Sequence, residues 1–224
     1  MLVNNMYSLS TPSSYLNYVF FSYRDKKSWC GLPPTEDYYY MNLFKIDESA
    51  ERIDSKSRTN VFYIDKVEYE HFKTLFYVER RRKVDLPDFV SMRDGFHYVS
   101  KKFKEYIEAV DPGVHHFWKI NLEEDGEAVD DYFRMQIGRF VDYEGSESTH
   151  YTSELREIFI QNLRSEDIEK SIFLLPFFSI KGDMKTIYVS DQYKEKIIKK
   201  GFVGIWDMDS KLNDSLGSCF NKIS

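Results

Sequence analysis

The chain has 224 residues, 42% of them apolar and 17% aromatic, which is enough to bury a sizeable core and too rich in rings for a disordered protein. A net charge of −6 and a pI near 5.5 argue against a nucleic-acid binder. Cys30 and Cys219 stand near opposite ends with neither metal spacing nor a disulfide framework, so both read as free thiols of a reducing, cytoplasmic compartment.

The opening MLVNNMYSLSTPSS carries no basic region and no continuous apolar stretch, so it is not read as a signal peptide. YLNYVFFSY at 15–23 has the composition of a strand, CGLPP at 30–34 breaks the chain, and YYYMNLFKI at 38–46 is a second strand candidate. A polar loop leads to a strand at 61–64, and 68–77 fits a helix or a strand equally well. The arginines of ERRRK at 79–83 are flanked by Glu79 and Asp85 without an interleaved aromatic platform, and they read as a solvated face. Pro87 marks an element boundary and Asp94-Gly95 a turn.

A helix starting near Ser100 stops at Asp111-Pro112-Gly113. HHFWKINL at 115–122 is a strand, EEDGEAVDD at 123–131 an acidic turn, and YFRMQIGRFVDY at 132–143 pairs back antiparallel. A polar linker precedes a helical pattern at 154–163, and 171–180 is strand-like but interrupted by Pro176. Its apolar run, IFLLPFF at 172–178, is too short to span a bilayer, so no membrane partner is expected. After a second strand and helix, GFVGIWDMD at 201–209 reads as a short strand and the last fifteen residues as a polar tail with one anchor at Phe220.

One phrase occurs twice. YVSKKFKEYI at 98–107 and YVSDQYKEKI at 188–197 agree at Tyr, Val, Ser, Lys, Glu and Ile, with Phe103 exchanged for Tyr193. In each, an apolar strand end runs into a serine suited to cap a helix, because its hydroxyl can accept an orphan N–H of the first turn. The first helix would bury Phe103, Tyr106, Ile107 and Val110, and the second Tyr193, Ile197 and Ile198 before stopping at Gly201. Two such strand–helix modules, with antiparallel sheets and a few short helices, define an α+β fold. Residues 1–84 read as a β-rich lobe and 85–224 as an α+β domain, or both as one compact body.

Charge is unevenly spread. Residues 121–170 hold fourteen Asp/Glu against five Lys/Arg, a local balance of −9, and the remainder of the chain is +3. Such a surface attracts a basic partner and speeds its association, and it equally serves to keep a protein dissolved.

Catalytic chemistry finds little support. His115 and His116 are adjacent, so in a strand they point to opposite faces and would not share a metal; one buried and one surface histidine is the simpler reading. The chain has no GxSxG, CxxC, HExxH or Gly-rich phosphate loop, so no metal, cofactor or enzymatic activity is expected. Asp130, Asp131 and His116 are the residues a divergent hydrolase would have to use.

DLPDF at 85–89, the YVS helix at 188–197 and GFVGIW at 201–206 stand in an order that resembles the immunity proteins of bacterial polymorphic toxin and type VI secretion systems. The resemblance covers about half the chain, in the stretches 86–141 and 173–206. It implies a non-catalytic α+β protein that binds one cognate toxin and blocks it, with these motifs holding the fold. It transfers no contact residues. The acidic turn, with Glu123, Glu124, Asp125, Glu127, Asp130 and Asp131, is the first choice for the toxin contact, facing basic residues of a nuclease-like partner. The Tyr38-Tyr39-Tyr40 cluster is the second. A protein-interaction or regulatory module unrelated to toxins is the competing reading.

Overall fold

The computed structural model describes residues 6–11, 19–22, 45–46, 51–52, 59–65, 75–80, 85–91, 97–129, 131–143, 174–180, 183–205 and 219–222. Cys30, the Tyr38–Tyr40 cluster, the helical pattern at 154–163 and Asp130 lie outside the described residues.

Six strands come first: β1 (Met6–Leu9), β2 (Val19–Ser22), β3 (Lys45–Ile46), β4 (Glu51–Arg52), β5 (Thr59–Asp65) and β6 (Leu75–Arg80). They are followed by β7 (Phe89–Ser91), β8 (His97–Ser100) and helix α1 (Lys101–Val110). Next come β9 (His116–Lys119), β10 (Asn121–Glu124), β11 (Glu127–Val129), β12 (Tyr132–Gln136) and β13 (Arg139–Tyr143). The last part holds β14 (Phe178–Ile180), β15 (Asp183–Ser190), helix α2 (Asp191–Lys199) and β16 (Phe220–Lys222).

The described strands form three sheets. The largest runs β16-β1-β15-β14-β13-β5-β3 with β4 also on β5; a second runs β11-β10-β6-β2 and a third β7-β8-β12-β9. Among the described residues all pairings are antiparallel except β13 with β14 and β6 with β10. The class is therefore α+β, as the repeated phrase indicates. Strands from the first 84 residues pair with later ones, β1 with β15 and β16, β5 with β13, and β6 with β10.

Both copies of the phrase make the same local structure: β8 into α1, and β15 into α2, with Ser100 and Ser190 at the cap positions. Ser100 accepts the Phe103 N–H at 3.2 Å, whereas the Ser190 hydroxyl is buried and makes no cap bond. Phe103, Ile107 and Ile197 are fully buried in one shared core with Val99, Ile187, Val189, Phe89 and Phe202. Tyr106, Val110 and Ile198 pack at its border, and Tyr193 is half-buried. Helix α1 ends at Asp111, ahead of Pro112 and a left-handed Gly113 (φ 76°), while α2 has Asp191 in its first turn and Lys196 and Lys199 in its last, matching the helix dipole.

Three expectations need correction. Residues 201–205 are turns rather than a strand, because Gly201 and Gly204 both take positive φ (63° and 77°). The C-terminal segment is not merely a tail: β16 adds an edge strand to β1, with Cys219 and Phe220 buried. The stretch 132–143 is two strands in two sheets. It breaks at Gly138, where the backbone lies so close to Val114 that an added Cβ would stand 1.8 Å from the Val114 carbonyl oxygen.

Candidate functional site

The acidic turn is a two-residue hairpin. Asp125 (φ 52°) and Gly126 (φ 88°) both occupy left-handed backbone, the geometry that matches strand twist and favours Asp-Gly. Glu124 pairs with Glu127, Glu123 with Ala128 and Leu122 with Val129. The hairpin continues β9 and β12, joined through a 3.1 Å bond from the Ile120 N–H to the Tyr132 carbonyl. One long ribbon therefore carries the acidic tip.

Its carboxylates differ in surroundings. Glu124 makes a two-point ion pair with Arg80, its Oε2 accepting from Nη2 at 2.7 Å while Oε1 receives Nε–H. Asp131 lies between Lys101 (3.6 Å) and Lys119 (4.0 Å), in left-handed backbone (φ 70°). Asp125 and Glu127 are exposed and Glu123 is half-buried. Sequence reading groups these residues by proximity, and the strand register separates those held inside the chain from those turned to solvent. Arg80, the described member of the arginine run, is exposed and serves as a partner for Glu124.

Two of the motifs behind the resemblance, DLPDF and GFVGIW, meet at one place, together with Ser100 of the first YVS phrase. Asp88 of DLPDF accepts the Ser100 hydroxyl on Oδ1 and the Val203 N–H on Oδ2 at 2.7 Å. Its backbone N–H donates to the Val203 carbonyl (2.8 Å), and its carbonyl accepts the Ser100 N–H (3.0 Å). Tyr132 Oη donates to the Pro87 carbonyl at 2.8 Å. No substrate-facing geometry results; Asp88 is 6% exposed, and its carboxylate joins a strand, a helix cap and a turn.

Both histidines are buried, contrary to the expectation of one inside and one outside. His115 precedes β9, so the alternation of a strand does not apply to it. Its Nδ1 accepts the Gly138 N–H (3.3 Å), which places the proton on Nε2, 3.0 Å from Asp111 Oδ2. Arg139 closes the group with two bonds to Asp111, at 2.6 and 2.8 Å. Burial alone would raise the Asp111 carboxyl, but the bonds from His115 and Arg139 outweigh it and hold it below its ordinary range. Burial pushes His115 down, against the opposing pull of Asp111. Sequence reading missed this cluster because its members come from a helix end, a turn and a strand.

His116 Nε2 meets the Ile64 carbonyl. It pairs in register with Gln136, at the far end of β12 from Asp131, so the structure does not bring His116 and Asp131 together as a hydrolase would need. Among the described residues no three His, Cys, Asp or Glu side chains converge as a metal set. Among the same residues no helix is long and apolar enough to cross a membrane.

Comparison with family models matches residues 34–209 to the immunity protein family Imm11. The chain belongs to that family. No curated protein matches it.

Proposed function

We propose that the chain neutralises a cognate secreted antibacterial toxin by occluding it. It would act in the cytoplasm of the cell that carries it, as the protective partner in a polymorphic toxin or type VI secretion system. Membership in an immunity family supports a toxin partner. The observation that carries the contact is the acidic hairpin, whose Asp125 and Glu127 face solvent. A protein that presents the negative field of a nucleotide or nucleic acid can cap a basic cleft without catalysis, metal or cofactor of its own.

Of the six carboxylates in this reading, Glu123, Asp125 and Glu127 would meet the partner. Glu124 and Asp131 would shape the tip through Arg80, Lys101 and Lys119. Asp130 stands in sequence between Val129 and Asp131 and belongs to the same acidic run. The test is association kinetics with the toxin whose gene an immunity function leads one to expect directly upstream of this one. Reversing Glu123, Asp125 and Glu127 to Lys should slow association and weaken its dependence on salt, since steering acts on the encounter rate. An unchanged rate and salt slope would remove the hairpin from the interface.

A further inference from the structure

The hairpin is one edge of a sheet whose neighbouring strand comes from much earlier in the chain. The parallel pairing of β10 with β6 sets Glu123 directly beside Tyr77. Paired residues of adjacent strands point to one face, about 5 Å apart, and residues two apart in a strand share it as well. Glu79 therefore stands on the same face as Tyr77, and Ala128, opposite Glu123 on β11, extends it. The reverse face holds Phe76, Val78 and Leu122, all buried, together with the Arg80–Glu124 pair.

At these positions of the outward face Glu79 and Ala128 are exposed, and Tyr77 and Glu123 are half-buried. Among the described residues no side-chain hydrogen bond, ion pair or ring contact engages Tyr77, Glu79 or Glu123. The hairpin carboxylates Glu124 and Asp131, by contrast, already have basic partners within the chain.

We propose that this sheet face, with Tyr77 between Glu79 and Glu123, is the docking surface for an arginine-bearing basic segment of the toxin. A guanidinium lying over the tyrosine ring gains a cation–π contact, and carboxylates on either side match its forked donors. Lysine would satisfy the charge but not the planar fit. Tyr77 supplies the large, stiff, amphipathic area that concentrates binding energy at interfaces. The proposal rests on the toxin-neutralising reading and deepens it, moving the energetic centre from the hairpin tip to a face built jointly by β6, β10 and β11.

The probe is the toxin encoded beside the gene, made catalytically inactive and titrated against the full-length protein. Four forms are compared: wild type, Tyr77→Ala, the double variant Glu79→Lys/Glu123→Lys, and a charge-matched control, Glu108→Lys/Glu195→Lys, on exposed positions of α1 and α2. The dissociation constant should rise by about 30-fold or more for Tyr77→Ala and for the sheet-face double variant, and by no more than about threefold for the control. Equal losses in the two double variants would mean that net charge alone matters, and would overturn the proposal. Unchanged binding by the sheet-face double variant would overturn it while leaving the toxin reading intact. Wild type failing to bind would overturn the toxin reading and this proposal with it. Both positions of the sheet-face variant are outward-facing, so it decides the matter even if Tyr77→Ala does not fold.

Discussion

Asp88 accepts the backbone N–H of Val203 at 2.7 Å, across 115 residues of chain. The same carboxylate takes the hydroxyl of Ser100, which in turn caps α1 through the Phe103 N–H. One side chain thus fixes where α1 begins and where the turn after α2 lies. This gives a physical role to Asp88 and Val203 within their motifs: they join distant parts of the fold.

Removing the joint should therefore cost more than removing a cap. Asp88→Ala leaves the Ser100 hydroxyl and Val203 N–H without their acceptor and should cost about 1–3 kcal/mol. Ser100→Ala should cost about 0.5–2 kcal/mol. Ser190→Ala, at the equivalent cap, should stay within about 0.5 kcal/mol because its buried hydroxyl makes no bond to lose. Urea denaturation of the three variants checks the order.

The shared core predicts large losses at either helix. Phe103 stacks edge-on with Phe202 at 4.8 Å, and Ile197 is fully buried. Phe103→Ala or Ile197→Ala should each cost about 2–5 kcal/mol, measured as a shift in unfolding midpoint. A change below about 0.5 kcal/mol would show that the helices do not share that core.

The repeated phrase made both strand–helix modules legible, because serine capping and the 3.6-residue apolar spacing are local. The Asp-Gly hairpin was equally readable, since left-handed backbone at both turn positions narrows the residue choice. The bond between Asp88 and Val203 was not, because sequence distance hides the contact. GFVGIW looks like a strand by composition, yet its two glycines take positive φ and bend it into turns. The His115-His116 pair misled for a related reason: alternation predicts opposite faces only inside a strand, and His115 sits before β9. Nor could periodicity show that Tyr77 would lie beside Glu123, since parallel pairing follows from the long-range topology.

Stability should fall with acid. Asp111 and His115 both titrate below their ordinary values in the folded chain, so the unfolded state binds more protons as pH drops. Their contribution is fully present above the unfolded histidine value, about 6.5, and is lost progressively below it, His115 first and Asp111 at lower pH. Urea midpoints at pH 7.5, 5.5 and 4 should decrease in that order. His115→Gln should flatten the decline between 7.5 and 5.5, and an unaltered slope would contradict the assignment.

Gly138→Ala should be strongly destabilising for a steric reason alone. The new Cβ would meet backbone at 1.8 Å, which no rotamer change can relieve. A cost of about 3 kcal/mol or failure to fold is expected. A near-native unfolding midpoint would show that β13 can shift away from Val114.

Neutralisation itself is read from the growth of cells that express the cognate toxin, with and without this chain. Wild-type protein should restore growth, and the Glu79→Lys/Glu123→Lys variant, folded and present at equal level, should protect poorly. Cells that die despite abundant folded wild-type protein would contradict the account of this chain as that toxin's neutraliser.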